Sequence, residues 1–127
     1  MTLADYFENT KGVGVLSTAD KGGRVNAAIY GRPHFVDDQT IVFIAADRLT
    51  HANLQSNKSA AYLFKEDGSY QGKRLYLTMT REEKNSPLIE KLRRRKPGEV
   101  DNKDQAESRF LIYFNVDQVL PLIGDGK

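Results

Sequence analysis

The sequence contains no cysteine. This absence excludes disulfide bonds, thiolate metal sites and thiol-based catalysis together. Only two histidines, His34 and His51, remain as soft metal ligands, and two are too few for a histidine-rich site. We therefore predict no metal site. Because few other side chains form obvious acid–base pairs, demanding chemistry would have to come from a cofactor.

Long apolar runs are also missing, and the charges nearly cancel. No stretch approaches the ~20 consecutive apolar residues that span a bilayer. The first ten residues carry Asp5 and Glu8 and lack the apolar region of a signal peptide, so we expect a cytoplasmic protein. The formal net charge of +2 gives no general reason to expect a nucleic-acid or membrane partner.

A basic run, Arg93 to Lys96, is the local exception to this balance. It falls in the last turn of a predicted helix, where cations complement the helix dipole, and Glu90 and Glu99 flank it. We interpret the run as a solvated helix end rather than a nucleic-acid site.

A chain of 127 residues fits a single domain. A domain of this length buries roughly two-thirds of its unfolded surface and needs no metal or disulfide for stability. However, only 39% of the residues are apolar and 28% are charged. This composition favours a chain that completes its core by pairing with a second copy.

Short apolar segments separated by turn residues predict a mainly β fold. The predicted strands cover residues 12–18, 24–36, 40–46, 59–65, 73–82 and 109–119. Strand 24–36 contains Gly31 and Pro33, which indicate a bulge or bend. Strand 59–65 is apolar on both faces, as expected of a strand covered on both sides in the middle of a barrel. Strands 73–82 and 109–119 alternate, which predicts one inward face in each. The residues of these two faces are Leu75, Leu77 and Met79, and Phe110, Ile112, Phe114 and Val116. Closely spaced strands without long helices between them predict a six-stranded antiparallel barrel. The tail from residue 124 is expected to be frayed.

Two or three short helices complete the prediction. Thr2 and Asp5 have the spacing of a capping box for a helix over residues 2–10. Thr50 is a plausible N-cap for a helix over residues 50–56. Ser86 and Pro87 then begin a third helix in the favoured order of cap and proline.

The segment from Ala45 to Leu54, AADRLTHANL, carries the clearest chemical signal. A strand runs out at Arg48, and a helix begins at Thr50. The first amides of a helix lack internal partners and carry partial positive charge. With a guanidinium and a hydroxyl beside them, they form a suitable phosphate site. On this segment alone, an ordinary helix cap beside a surface arginine is the simpler interpretation.

The strand order and this motif together resemble the FMN-binding split barrels related to pyridoxamine 5′-phosphate oxidase. The resemblance covers residues 3–122 and implies a split barrel that binds FMN. In that family a basic residue and a Ser or Thr before a short helix hold the FMN phosphate, and an Asn-Leu pair follows. The matching positions are Arg48, Thr50 and Asn53. Many members have a lysine where this chain has His51, which we also assign to the cofactor site.

The resemblance implies further ligands and a dimer. The second strand of the family passes along the flavin ring, which assigns Asn26, Ala27, Ala28 and Ile29 to the cofactor site. Family members dimerise with the flavin between subunits, so Lys73 and Arg74, at the start of the fifth strand, could add donors.

The resemblance also limits the chemistry. The region from Leu120 lacks the Arg-x-His-type substrate motif of the oxidase itself, so we expect no oxidation of pyridoxamine phosphate. Hydride or electron transfer would occur at the flavin of an oxidoreductase or electron-transfer protein. No catalytic side chain is assigned, although His34 could act as a proton donor.

Three alternatives remain open. The barrel could bind a deazaflavin or haem, with only His34 and His51 able to ligate haem iron. It could be a binding or regulatory module without a cofactor, which His51 in place of lysine favours. Finally, Lys73, Arg74 and Tyr76 faintly resemble the mixed basic and aromatic face of an oligonucleotide-binding barrel.

Overall fold

Seven antiparallel strands and three short helices make up the part of the chain that the structure describes. The computed structural model describes residues 2–92 and 108–124. The elements, in chain order, are α1 (Leu3–Asn9), β1 (Gly12–Ala19), β2 (Val25–Tyr30), β3 (His34–Phe35), β4 (Thr40–Ala46), α2 (Leu49–Ser56), β5 (Ser59–Glu66), β6 (Gly72–Lys84), α3 (Leu88–Leu92) and β7 (Arg109–Pro121). The basic run at 93–96, the loop at 96–107 and the tail after 124 lie outside the described residues.

The strands form one sheet in the order β2-β1-β5-β6-β7-β4-β3. β4 and β5 are not neighbours in this order, yet the rings of Phe43 and Tyr62 lie 4.9 Å apart between their centroids. The sheet therefore curls so that distant strands pack across a shared interior. Its two edge strands, β2 and β3, are joined by residues 31–33 alone. Since no pairing connects these two strands, the barrel is split along this line.

The prediction of six strands differs from the seven observed, because the predicted strand 24–36 divides into β2 and β3. Pro33 has no amide hydrogen for a sheet, and it restricts the residue before it to extended conformations. In addition, the buried Tyr62 hydroxyl donates to the carbonyls of Tyr30, at 3.2 Å, and Gly31, at 2.9 Å. These bonds end β2 and turn the chain toward β3.

The interior of the barrel follows the predicted alternation. In β6, Leu75, Leu77 and Met79 are buried on one face and Tyr76 lies on the other, as predicted; within one chain Tyr76 is exposed. The core combines these residues with others that share burial and apolar character: Phe7, Leu16, Phe43, Tyr62, Phe64, Phe110, Ile112, Phe114 and Val116. The fold class inferred from sequence is therefore confirmed.

Two strands differ from their predicted burial. β7 was expected to bury one face, but Leu111 and Tyr113 on the other face are also buried, because they pack with Ile89 of α3 in a second cluster. β5 was expected to be covered on both faces, yet Leu63 is 40% exposed. The outer face of β5 is therefore uncovered within one chain.

Helix α1 closes one end of the barrel. The predicted capping box is present, since the Asp5 amide donates to the Thr2 hydroxyl at 3.1 Å and the Asp5 carboxylate accepts from the Thr2 amide. Phe7, in the same helix, is buried among core aromatic rings. Arg32 caps the other end of α1, donating to the carbonyls of Phe7, Glu8 and Thr10.

Gly14 leaves space for the Tyr62 hydroxyl at the split, because glycine has no side chain. A Cβ on Gly14 would lie 1.9 Å from the Tyr62 hydroxyl and 2.7 Å from the Tyr30 carbonyl. We expect Gly14→Ala to lower the free energy of unfolding by about 1–3 kcal/mol, because the buried tyrosine has to move. Urea denaturation of the purified protein measures the change.

Gly31→Ala is the matched control, because nothing lies within 4 Å of a Cβ at Gly31. Its stability should stay within about 0.5 kcal/mol of the parent. Equal losses in the two variants would contradict the proposed steric role of Gly14.

Candidate functional site

A cavity of about 450 Å³ lies at the split in the barrel, between β2, the end of β4 and the start of α2. Ligand sites in proteins generally measure about 300–1,000 Å³, so the cavity is large enough for a small molecule. Its lining residues come from these three segments: Asn26, Ala28, Ile29, Tyr30, Gly31, Ile44, Ala46, Arg48, Leu49 and Thr50.

The cavity brings together two segments that are distant in the sequence and that the family resemblance assigns to the cofactor. Asn26, Ala28 and Ile29 come from β2, and Arg48 and Thr50 come from the start of α2. Their convergence is a tertiary effect, because β2 and β4 are not paired in the sheet.

The start of α2 differs from the prediction in one detail. Arg48, not Thr50, occupies the N-cap position, with φ −133° and ψ −165°, and its side chain makes no capping hydrogen bond. Thr50 lies within the first turn and is buried. The first-turn amides of α2 are therefore not capped by the Arg48 side chain, and they lie at the cavity wall formed by Arg48, Leu49 and Thr50.

Tyr30 is a partly buried polar residue in the lining of the cavity. Burial raises the pKa of Tyr30, while a hydrogen bond with Thr50 and the charge of Arg48 oppose the rise. Because its pKa stays above the ordinary value of about 10, the Tyr30 hydroxyl keeps its proton at neutral pH.

Other predicted ligands lie outside the cavity. Ala27 does not line the cavity, although its neighbours Asn26, Ala28 and Ile29 do. Asn53 is buried and donates from Nδ2 to the Thr18 hydroxyl at 3.1 Å, which ties α2 to β1. Lys73 lies over the Tyr6 ring at 4.6 Å. Arg74 donates to the carbonyls of Pro121, at 2.9 Å, and Gly124. In a single chain, the structure does not bring these four residues into the cavity.

His51 also lies away from the cavity, in a network that joins α2 to β6. Its Nε2 lies 2.8 Å from Glu82 Oε2, and its ring stacks on Phe110 with centroids 3.6 Å apart. Gln55 donates to the other Glu82 oxygen at 2.6 Å. On the Nδ1 side, Asp47 lies 3.5 Å away. These contacts hold α2 in place.

Glu82 is the charged partner in this network. Burial acts to raise the pKa of Glu82, but the hydrogen bonds from His51 and Gln55, together with nearby positive charge, bring it below its ordinary value. The carboxylate is therefore ionised at neutral pH and accepts the bonds that hold the helix.

A smaller cavity of about 250 Å³ adjoins the first and shares Tyr30, Gly31 and Ile44 with it. Arg32, His34 and Arg109 also line it. The sequence indicates His34 as a possible proton donor, but it does not indicate Arg32 or Arg109 as site residues. Nothing in the local sequence marks Arg109, which reaches this place because it pairs with Ala46 across β4 and β7.

Neither metal clusters nor membrane-spanning helices are found in the described part of the chain. Residues 2–92 and 108–124 contain no group of three or more His, Asp or Glu side chains arranged to hold a metal ion. Within the same ranges, no helix is long and apolar enough to cross a membrane.

Comparison with known proteins identifies the fold. No protein-family model and no curated protein matches this sequence. Among solved structures, an FMN-binding protein from Syntrophomonas wolfei has a TM-score of 0.72 at 19% identity, covering 95% of this chain and 84% of its own. An F420 reductase has a TM-score of 0.72 at 15% identity, covering 94% and 97%.

A third solved structure extends the likeness. It is a pyridoxamine 5′-phosphate oxidase-related, FMN-binding protein from Nostoc punctiforme, with a TM-score of 0.62 at 13% identity, covering 91% of this chain and 75% of its own. This chain has the split-barrel fold of these proteins. The fold implied by the sequence resemblance is confirmed, and in this split barrel the larger cavity lies at the split itself.

The network around Glu82 generates a pH prediction. A carboxylate whose pKa is lowered by folding stabilises the native state above its unfolded pKa, and this contribution is lost as the pH falls through the folded value. The unfolded pKa of glutamate is about 4.3. When the pH is lowered from 7 to below this value, we expect the free energy of unfolding to fall less in Glu82→Gln than in the parent protein. Thermal unfolding across this range measures the difference.

Asp38→Asn, at an exposed turn position, is the control and should keep the acid dependence of the parent. If Glu82→Gln and the parent lose stability in parallel on acidification, the Glu82 network does not contribute to acid sensitivity.

Proposed function

We propose that this split barrel binds FMN in the larger cavity and acts as a flavin-dependent oxidoreductase or electron-transfer protein. One observation carries the proposal: the cavity joins the β2 segment and the start of α2, the two segments that the family resemblance assigns to FMN. The fold likeness to solved FMN-binding proteins supports it.

The start of α2 suits the phosphate end of the cofactor. Arg48 supplies a guanidinium, whose planar donors match phosphate oxygens. The first-turn amides of α2 add partial positive charge and donors. The buried Thr50 lies at the same wall, and its hydroxyl is close enough to Tyr30 to act on the pKa of that residue. The donor set therefore fits a phosphate dianion.

The remaining walls suit a flat ring. Ala28 and Ala46 are small, so a planar group can approach the backbone of β2 and β4 closely. Ile29 and Ile44 add apolar surface, and Asn26 adds an amide able to donate and accept. The bound flavin would supply the redox chemistry, while the protein binds and orients it. The Tyr30 hydroxyl holds a proton beside the cavity.

The outer face of β2, β1 and β5 suits a second copy of the chain. Val25 and Ile29 on the edge strand β2 are 77% and 72% exposed. Val13 of β1 and Leu63 of β5 extend the same face, since Val15 pairs with both Ile29 and Leu63. Contiguous exposed apolar surface of this kind marks an interaction site. We propose a homodimer that covers this face and encloses the flavin, where Lys73 or Arg74 could act from the partner side.

A deazaflavin is the second candidate for the same cavity, because an F420 reductase shares the fold. Haem is disfavoured at His51, since that ring is committed to Glu82 and Phe110. Parallel titrations with FMN and F420 distinguish the two flavin-type ligands. Failure of both would favour a module without a cofactor.

Arg48→Ala tests the phosphate end. Loss of a charge-assisted contact costs about 1.5–3 kcal/mol, so FMN affinity should fall about tenfold to more than a hundredfold. Quenching of flavin fluorescence during titration measures it. Arg24→Ala, an exposed arginine in the β1–β2 turn, should bind like the parent. Unchanged affinity in Arg48→Ala would show that the phosphate lies elsewhere.

Val25→Asp tests the dimer face. A charge placed in an apolar interface lacks a partner there, so the dimer dissociation constant should rise at least about tenfold. Sedimentation equilibrium measures it. Val36→Asp is the matched control, because Val36 is 59% exposed and directly follows β3, at the opposite edge of the sheet from β2. A dimer in Val25→Asp as tight as in the control would contradict the proposed interface.

A further inference from the structure

The smaller cavity differs from the larger one in its charge. Arg32, His34 and Arg109 line it, and no acidic residue of the described ranges 2–92 and 108–124 lines either cavity. Counting Arg48, three arginines therefore border one continuous cleft in a chain whose net charge is only +2. A cleft lined by one sign of charge concentrates ligands of the opposite sign.

Arg109 is the cation placed to bind a ligand directly. It stands opposite Ala46 in the β4–β7 register, and its side chain is half-buried. Two hydrogen bonds to Asn85 anchor its backbone. The Arg109 backbone amide donates to Asn85 Oδ1 at 2.9 Å, and the Asn85 backbone amide donates to the Arg109 carbonyl at 2.7 Å. Within the described residues, the Arg109 guanidinium forms no hydrogen bond or ion pair. A fixed backbone thus presents a planar donor group to the cavity.

Arg32 contributes a second charge in a fixed position. Its Nη1 donates to three carbonyls at the end of α1, at 2.8 to 3.2 Å. A guanidinium has five donor hydrogens. These carbonyl contacts fix the Arg32 side chain where it lines the cavity. His34, half-buried beside it, adds an imidazole.

The other walls are apolar and restrict the ligand. Tyr30 and Phe43 meet edge to face, with ring centroids 5.8 Å apart. Ile44 completes the wall that the cavity shares with the candidate flavin site. A volume of 250 Å³ leaves room for a small molecule only. The walls therefore match an apolar or aromatic body that carries an anionic group.

We infer that the smaller cavity is the substrate subsite, and that it takes a small organic carboxylate held by Arg109, with Arg32 and His34 beside it in the same wall. Guanidinium groups bind carboxylates through two parallel hydrogen bonds, which orients the ligand as well as attracting it. The assignment of this ligand as the substrate rests on the proposed flavin function. Its binding does not, because the cavity and its charges belong to the chain itself.

Benzoate is a suitable probe, and benzamide is its neutral counterpart. We expect benzoate to shift the backbone amide resonances of Gly31 and Ile44 saturably in ¹⁵N-labelled protein without FMN, and benzamide to bind at least about tenfold more weakly. Arg109→Gln should weaken benzoate binding about tenfold or more, as expected for one charge-assisted contact. Arg109→Lys should restore part of the affinity, and Arg24→Gln, in the exposed β1–β2 turn, should leave it unchanged.

A second arm separates this inference from the proposed function. In protein loaded with FMN, benzoate should perturb the flavin absorbance, and Arg109→Gln should abolish the perturbation while keeping FMN affinity within about twofold. Loss of FMN affinity in Arg109→Gln as large as in Arg48→Ala would place Arg109 in the cofactor site and overturn the inference, leaving flavin binding intact.

The remaining outcomes are also decisive. Benzoate and benzamide binding equally, or benzoate binding unaffected by Arg109→Gln, would overturn the inference. Inorganic phosphate that displaces benzoate at lower concentration would overturn the choice of carboxylate. Benzoate binding that depends on Arg109 in a protein that does not bind FMN would support the anion site and contradict the proposed flavin function.

Discussion

The arrangement of this barrel depends on one buried hydroxyl. Tyr62 crosses the interior and donates to the carbonyls of Tyr30 and Gly31, where β2 ends. The tyrosine can reach them because Gly14 has no side chain in its way. These bonds separate β2 from β3 and leave the sheet open along one line. Both cavities lie on this line, and both are bordered by Tyr30 and Gly31.

The distribution of charge follows from which carboxylates find partners. Glu82 accepts from His51 and Gln55, Glu83 pairs with Arg81, and Glu66 accepts from Tyr6. None of these acidic residues lines the cleft at the split. A chain with nearly balanced charge therefore presents a locally positive cleft, which suits an anionic cofactor at α2 and an anionic ligand beside Arg109.

Helix α2 shows how residues near a site can serve it indirectly. Its first turn borders the larger cavity, while its later residues anchor it. Asn53 is bonded to Thr18 of β1, and His51 connects the helix to Glu82 of β6 and to Phe110 of β7. The Asn and His of the motif hold Arg48 and Thr50 in position, so a motif match alone does not separate ligands from supporting residues.

The sequence by itself determined most of the elements and the mainly β fold. Alternation along Leu75, Leu77 and Met79, the Thr2 capping box and the turn residues are local signals, and they depend on neighbours a few positions away. The short motif likewise marked Arg48 and Thr50. Only the tertiary structure decided three features: the break between β2 and β3, the contact of His51 with Glu82 and the position of Arg109 in the smaller cavity. Each of these depends on contacts between strands far apart in the chain, and such contacts leave no periodic trace in the sequence.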